Sequence, residues 1–158
     1  MKNVITNEQV ISLAFGDGEY LSPEVILDSD IASAAHRYIV PVVGEELYQE
    51  LLEGSHRELL DDFVAPALAM AVRTMIQPAL NVRTGQAGLI MHSSARSDTA
   101  TKSAVNALQK SLRLRRQTLL RQLSNYLKNH ASEFASYDAS RDAMQRCSID
   151  QNTHWHHK

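Results

Sequence analysis

Between Thr99 and Ser132 there is no aspartate and no glutamate, although seven lysines and arginines fall in that stretch. A helix there cannot brace itself with acid–base pairs three or four residues apart. Cysteine is nearly absent too: Cys147 stands alone, which excludes an intramolecular disulfide and fits a reducing compartment. No long uninterrupted apolar run occurs. The nearest to one, Phe63 to Leu80, contains Pro66, Arg73, Thr74, Gln77 and Pro78, and reads as a buried core helix, not a bilayer span. The opening MKNVITNEQV has no apolar segment of the signal-peptide kind, so export by that route is not expected.

The chemistry-bearing motifs are missing as well. GDGE and TGQAG lack the Walker lysine and the GxGxxG spacing, and GxSxG, HExxH and CxxC do not occur. His36, His56, His92 and His130 are scattered along the chain. The terminal HWHHK could offer His154, His156 and His157 to a metal, but with no acid beside them it reads as a loose tail. Glu45/Glu46 and Asp61/Asp62 are adjacent pairs whose members point to different sides of a helix, which suits solubility better than acid–base work. The expectation is a protein that is not an enzyme, with no catalytic residues, no cofactor and no metal.

What is present is a soluble globular composition, 44% hydrophobic and 22% charged, in a chain long enough for one ordinary domain. The net charge of −2 hides a division along the chain. Residues 1–65 hold 13 acids against 3 lysines and arginines, whereas residues 66–132 hold 1 acid against 10. Two such halves attract one another, within one molecule or between neighbours packed head to tail.

Helical periodicity and caps organise the chain as an all-α bundle of four to five helices. Thr6 caps a first helix from Asn7 to Phe15. Ser22-Pro23-Glu24 starts a turn of helix, and Asp28 or Ser29 caps the next, with Ile31, Ala34, Ala35, Tyr38 and Ile39 inward. Pro41 and Gly44 punctuate before EELYQELLEG, where Leu47, Leu51 and Leu52 face the core. Ser55 caps a helix to about Asn81, bent around Pro66 and Pro78. RTGQAGLIMHSSARSD reads as a loop or small β-hairpin around 84–94. Asp98 or Thr99 opens a long basic helix to about Ala131. The single domain is drawn at 1–138, and 139–158 as a short helix near 139–147 with a loose end.

On the long helix, Thr101, Val105, Leu108, Leu112, Leu119, Leu123 and Tyr126 share one arc, while Asn106, Lys110, Arg113, Gln117, Arg121, Ser124 and Lys128 share the opposite one. Arg115 and Arg116 lie at the shoulders, where long side chains cover apolar surface and still reach out. This outer face, Lys110, Arg113, Arg115, Arg116, Arg121 and Lys128, can pair with the acidic half of the same molecule, with that of a neighbour, or with DNA phosphates. The matching acidic face comprises Glu45, Glu46, Glu50, Glu53, Asp61 and Asp62. A membrane-surface role is disfavoured because the apolar stripe is what the core requires.

The order of a short capped helix, IASAAHRYIVPVVGEELYQELLEG, a proline-bent apolar helix, NVRTGQAGLIMHSS and a long helix ending LSNYLKNHASEFASY resembles the small helical head–tail connector (adaptor, or head-completion) proteins of tailed bacteriophages and related prophage proteins. The likeness spans about residues 4–138 and is carried best by Ile39-Val40-Pro41 to Gly44, Leu47, Tyr48, Tyr126, Leu127, Phe134 and Tyr137. It implies a virion protein, made in the bacterial host cytoplasm, that forms a ring of identical subunits beneath the portal. Its partners would be itself, the portal, and tail or neck proteins, with DNA passing through the channel without sequence readout and no membrane. The 82–97 loop, with Arg83, Gln86, Leu89, Ile90 and Met91, would then reach a neighbour, the portal or the lumen. A helical nucleic-acid-binding or regulatory module using the basic 99–131 helix is the alternative.

Overall fold

The computed structural model describes residues 2–16, 19, 21–86 and 95–146, and among these all regular structure is helical. Helix α1 spans Asn7–Ala14 and starts in a capping box: the Thr6 hydroxyl accepts from the Gln9 amide, and the Gln9 side chain accepts from the Thr6 amide. A 3-10 turn, Pro23–Val25, leads to α2, Asp28–Ala34, which passes through a π turn, Ala35–Ile39, into α3, Val40–Val43. Then follow α4, Glu45–Glu53, and α5, Arg57–Leu59, a second π turn, Leu60–Val64, and α6, Ala65–Gln86. Helix α7 spans Ala95–Asn129, and α8 is a single turn, Ala143–Arg146.

Both π turns end two residues before a proline, and for the same reason. Proline has no N–H to donate, and its ring collides with the carbonyl four residues earlier. Widening the preceding turn by one residue relieves the collision. The residue just before each proline therefore bonds five positions back: the Val40 amide donates to Ala35 O and the Ala65 amide to Leu60 O. The expected bend at Pro66 is thus a π turn that ends before it. The expected cap at Ser55 is replaced by His56, which holds φ 54° and ψ 50° in the left-handed region as the chain turns from α4 into α5.

Helix α6 is the hub. From Val64 to Thr74 every side chain but Pro66 is buried, and α1, α2 and α7 pack around it. A helix apolar on all sides can only be a central one. It extends to Gln86, past the anticipated end at Asn81 and into the region expected as loop or hairpin. The rest of that region, 87–94, with Leu89, Ile90 and Met91, lies outside the described residues, as does HWHHK. Helix α7, at 35 residues, is about 52 Å long at 1.5 Å per residue.

One cation sits inside this core. Arg73 on α6 is 6% exposed, yet its guanidinium is fully engaged. It donates to Ala14 O at the end of α1, to Glu19 Oε1 at 2.6 Å and to Gln77 Oε1, and it lies over the Phe15 ring at 4.4 Å. Burial acts to raise the pKa of Glu19, but hydrogen bonds from the Gly16 amide and Arg73 outweigh it and bring it below the ordinary carboxylate value.

The two partners of this contact are unequal. Arg73→Met should cost about 2–3 kcal/mol, because it strands the Ala14 carbonyl and removes the stack on Phe15. Glu19→Gln should cost less than about 1 kcal/mol, since that carboxylate is half exposed. Urea denaturation measures both, and equal losses would refute the assignment. A carboxylate with a lowered folded pKa contributes stability above its unfolded value, lost as pH falls through the folded one. Glu19→Gln should accordingly flatten part of the acid limb of stability against pH.

Candidate functional site

The outer face of α7 is where the missing acids matter. Lys110, Arg113, Arg115, Arg121 and Lys128 are exposed, and Arg116 is half-buried. Among the described residues the ion pairs are Glu50–His56, Arg73–Glu19 and Arg141–Asp138, and none reaches this face. Of the three alternatives for this face, pairing with the acidic half of the same molecule is represented by no ion pair among the described residues. Lys128 reaches only a neutral group, Gln145 Oε1 at 3.3 Å. Lys110, Arg113 and Arg116 follow one another at three-residue intervals, a spacing at which like charges repel.

The acidic positions do not form one uniform face either. Glu46, Glu53, Asp61 and Asp62 are exposed, and Glu45 accepts from Gln49 at 2.9 Å. Glu50 differs. Its Oε2 meets His56 Nε2 at 2.8 Å and its Oε1 accepts from the Ser136 hydroxyl, tying α4 to the segment that follows α7. The Ser136 hydrogen bond, with His56 second, holds the Glu50 carboxyl below its usual range. Serine, glutamate and histidine meet here, but the glutamate stands between the other two. A nucleophile needs the histidine on the serine. No group of three or more His, Cys, Asp or Glu that could hold a metal occurs among the described residues, and no helix there is long and apolar enough to cross a membrane.

Ser124 corrects the helical wheel. It falls on the basic arc of a straight helix but is fully buried, because the chain folds back after α7 and covers that flank. Asp142, 1% exposed, accepts from Ser124 Oγ at 2.6 Å, from Tyr137 Oη at 2.7 Å and from the Met144 amide at 2.8 Å. Burial, with the Asp142 carboxylate second, pushes the Tyr137 hydroxyl far above the usual phenol range. Leu120 and Leu127 are buried with Leu112 and Leu123, whereas Leu108 and Leu114 are exposed. Of the anticipated loop contacts, Arg83 and Gln86 lie on the last turns of α6.

Two residues were not anticipated at this face. Arg37 and Tyr38, on the first π turn, meet α7 beside Arg113 and Arg116. Arg116 lies over the Tyr38 ring, 4.3 Å from its centroid. A cation in an otherwise acidic stretch, directly before an aromatic residue, was the available signal.

Because the α7 cations repel one another and form no ion pair among the described residues, removing those at Arg113 and Arg121 should not harm the fold. Arg113→Gln combined with Arg121→Gln should leave the Tm unchanged or slightly raised in low salt, with the difference fading as salt screens the repulsion. A clear loss of Tm would mean that these side chains have a structural partner.

A model of a family of unknown function, DUF6712, matches residues 25–146. No curated protein and no solved structure matches this chain. The matched stretch runs from the first 3-10 turn to α8 and takes in both π turns, the buried α6 and the basic α7. The chain belongs to the DUF6712 family.

Proposed function

We propose that this chain is a structural subunit of a tailed-phage or prophage neck, a head–tail connector that assembles head to tail with copies of itself beneath the portal. The observation that carries this reading is the unneutralised charge division. One surface, on α7, is basic and another, with Glu46, Glu53, Asp61 and Asp62, is acidic, and neither forms an ion pair among the described residues. A ring requires two different surfaces of one subunit that fit each other. Exposed Leu114, at 56%, sits among the arginines, and an apolar contact there suits a protein neighbour better than a polyanion alone. The resemblance of the 39–48 and 126–137 stretches to phage connectors supports the same reading.

Lysine at Glu46, Glu53, Asp61 and Asp62 should block assembly on the portal while the monomer stays folded, as judged by sedimentation and circular dichroism. Normal assembly of that variant would remove the head-to-tail basis. Mass spectrometry of purified particles should find the chain at a ratio near the portal's, and its absence beside detected portal would end the connector reading.

A second reading rests on the same free cations: a module that holds duplex nucleic acid along α7. Glutamate at Lys110, Arg113, Arg121 and Lys128 should then abolish duplex binding, whereas unchanged affinity and salt slope would exclude it.

A further inference from the structure

The first π turn, the middle of α6 and the middle of α7 border an open surface cleft of about 400 Å³, lined by Arg37, Tyr38, Thr74, Met75, Gln109, Arg113 and Arg116. Three guanidiniums enter it and no carboxylate does. From this geometry we infer a phosphate-binding site, one that takes the phosphate group of a nucleic-acid backbone or free inorganic phosphate.

The neutral residues of the cleft are already committed to the fold. Gln109 Nε2 donates to Thr74 O at 3.1 Å, which braces α7 against α6, and Thr74 Oγ1 donates to Met70 O at 2.7 Å. The charged ones are held but not neutralised. Tyr38 carries both Arg116, at 4.3 Å from its centroid, and Arg37, at 5.5 Å. The aromatic ring orients the two cations without cancelling either. Arg116 Nε is buried without a hydrogen-bond partner, and Arg116 forms no ion pair, among the described residues.

The number and kind of donors select the ligand. A single carboxylate needs one guanidinium, whereas three forks around one cleft match the charge and the several oxygens of a phosphate. A stacked nucleobase is not indicated, because the aromatic residue lining the cleft is already occupied by arginine. The π turn makes the arrangement. Its extra residue places Arg37 and Tyr38 opposite α7, and such turns recur at functional sites. The site does not depend on the connector reading, since phosphate binding is measured on the isolated chain.

The test compares the full chain with Arg37→Gln, Arg116→Gln and Arg57→Gln. The last is exposed on α5, outside the cleft and off the α7 face. Inorganic phosphate should raise the Tm more than chloride or acetate at equal ionic strength. Arg37→Gln and Arg116→Gln should lose that increment and Arg57→Gln keep it. Arg37 is exposed, so its variant tests the site even if Arg116→Gln fails to fold. Anisotropy of a labelled short duplex separates the sources. An affinity loss of about tenfold in the cleft variants, with a salt slope reduced by about one, assigns the phosphate to a nucleic acid. A phosphate-specific Tm gain with duplex affinity unaltered assigns it to the free ion. The proposal is overturned if acetate protects as well as phosphate, if Arg57→Gln loses as much as the cleft variants, or if neither phosphate nor duplex responds to Arg37→Gln.

Discussion

A proline inside a helix has no hydrogen to give and needs space one turn back, and at Pro41 and Pro66, though not at Pro78 within α6, this chain meets that constraint with the same device. Ahead of Pro41 and Pro66 the helix widens by one residue, and the rod continues where an ordinary kink would have broken it. Continuity is what the rest of the fold uses. The rod through Pro66 becomes α6, against which α1, α2 and α7 all pack, and it carries Arg73 to the end of α1. The rod through Pro41 turns Arg37 and Tyr38 toward α7. Phe63, on the second π turn, stacks on Tyr126 at 4.1 Å, so both widened turns touch the long helix.

The charges follow from the same packing. Helix α7 presents its apolar stripe to α6 and leaves its cations outside, while α4 and the second π turn expose their acids elsewhere. Intramolecular neutralisation would have required these surfaces to meet, and they do not. The charge that a helix would ordinarily balance along its own length is left without ion pairs among the described residues.

Periodicity and caps made much of this fold legible. Thr6 caps α1, Leu47 and Leu51 face inward, and the run from Val64 to Thr74 is central because it is apolar on all sides. What periodicity missed has a common cause. A 100° wheel assumes an unbroken α-helix with one neighbour. The π turn invalidates the first assumption at Arg37 and Tyr38, which is why the cleft was not visible in the sequence. The returning chain invalidates the second at Ser124, which a straight wheel places outside. His56 shows a third limit, since a left-handed residue that is not glycine carries no reliable sequence signal. Lys110, Arg113, Arg115, Arg121 and Lys128 are exposed as residue type and spacing indicated, whereas Arg116 is half-buried.

The knot of Ser124, Tyr137 and Asp142 bears on where this domain can be cut. A boundary at 138, where helical patterning fades, would leave the Ser124 hydroxyl and the Tyr137 ring without the carboxylate that satisfies them. Gln145 adds a further bond to Ser124 at 2.8 Å. The segment behind α7 is thus a latch on the helix, and an expression boundary for this domain belongs beyond Gln145.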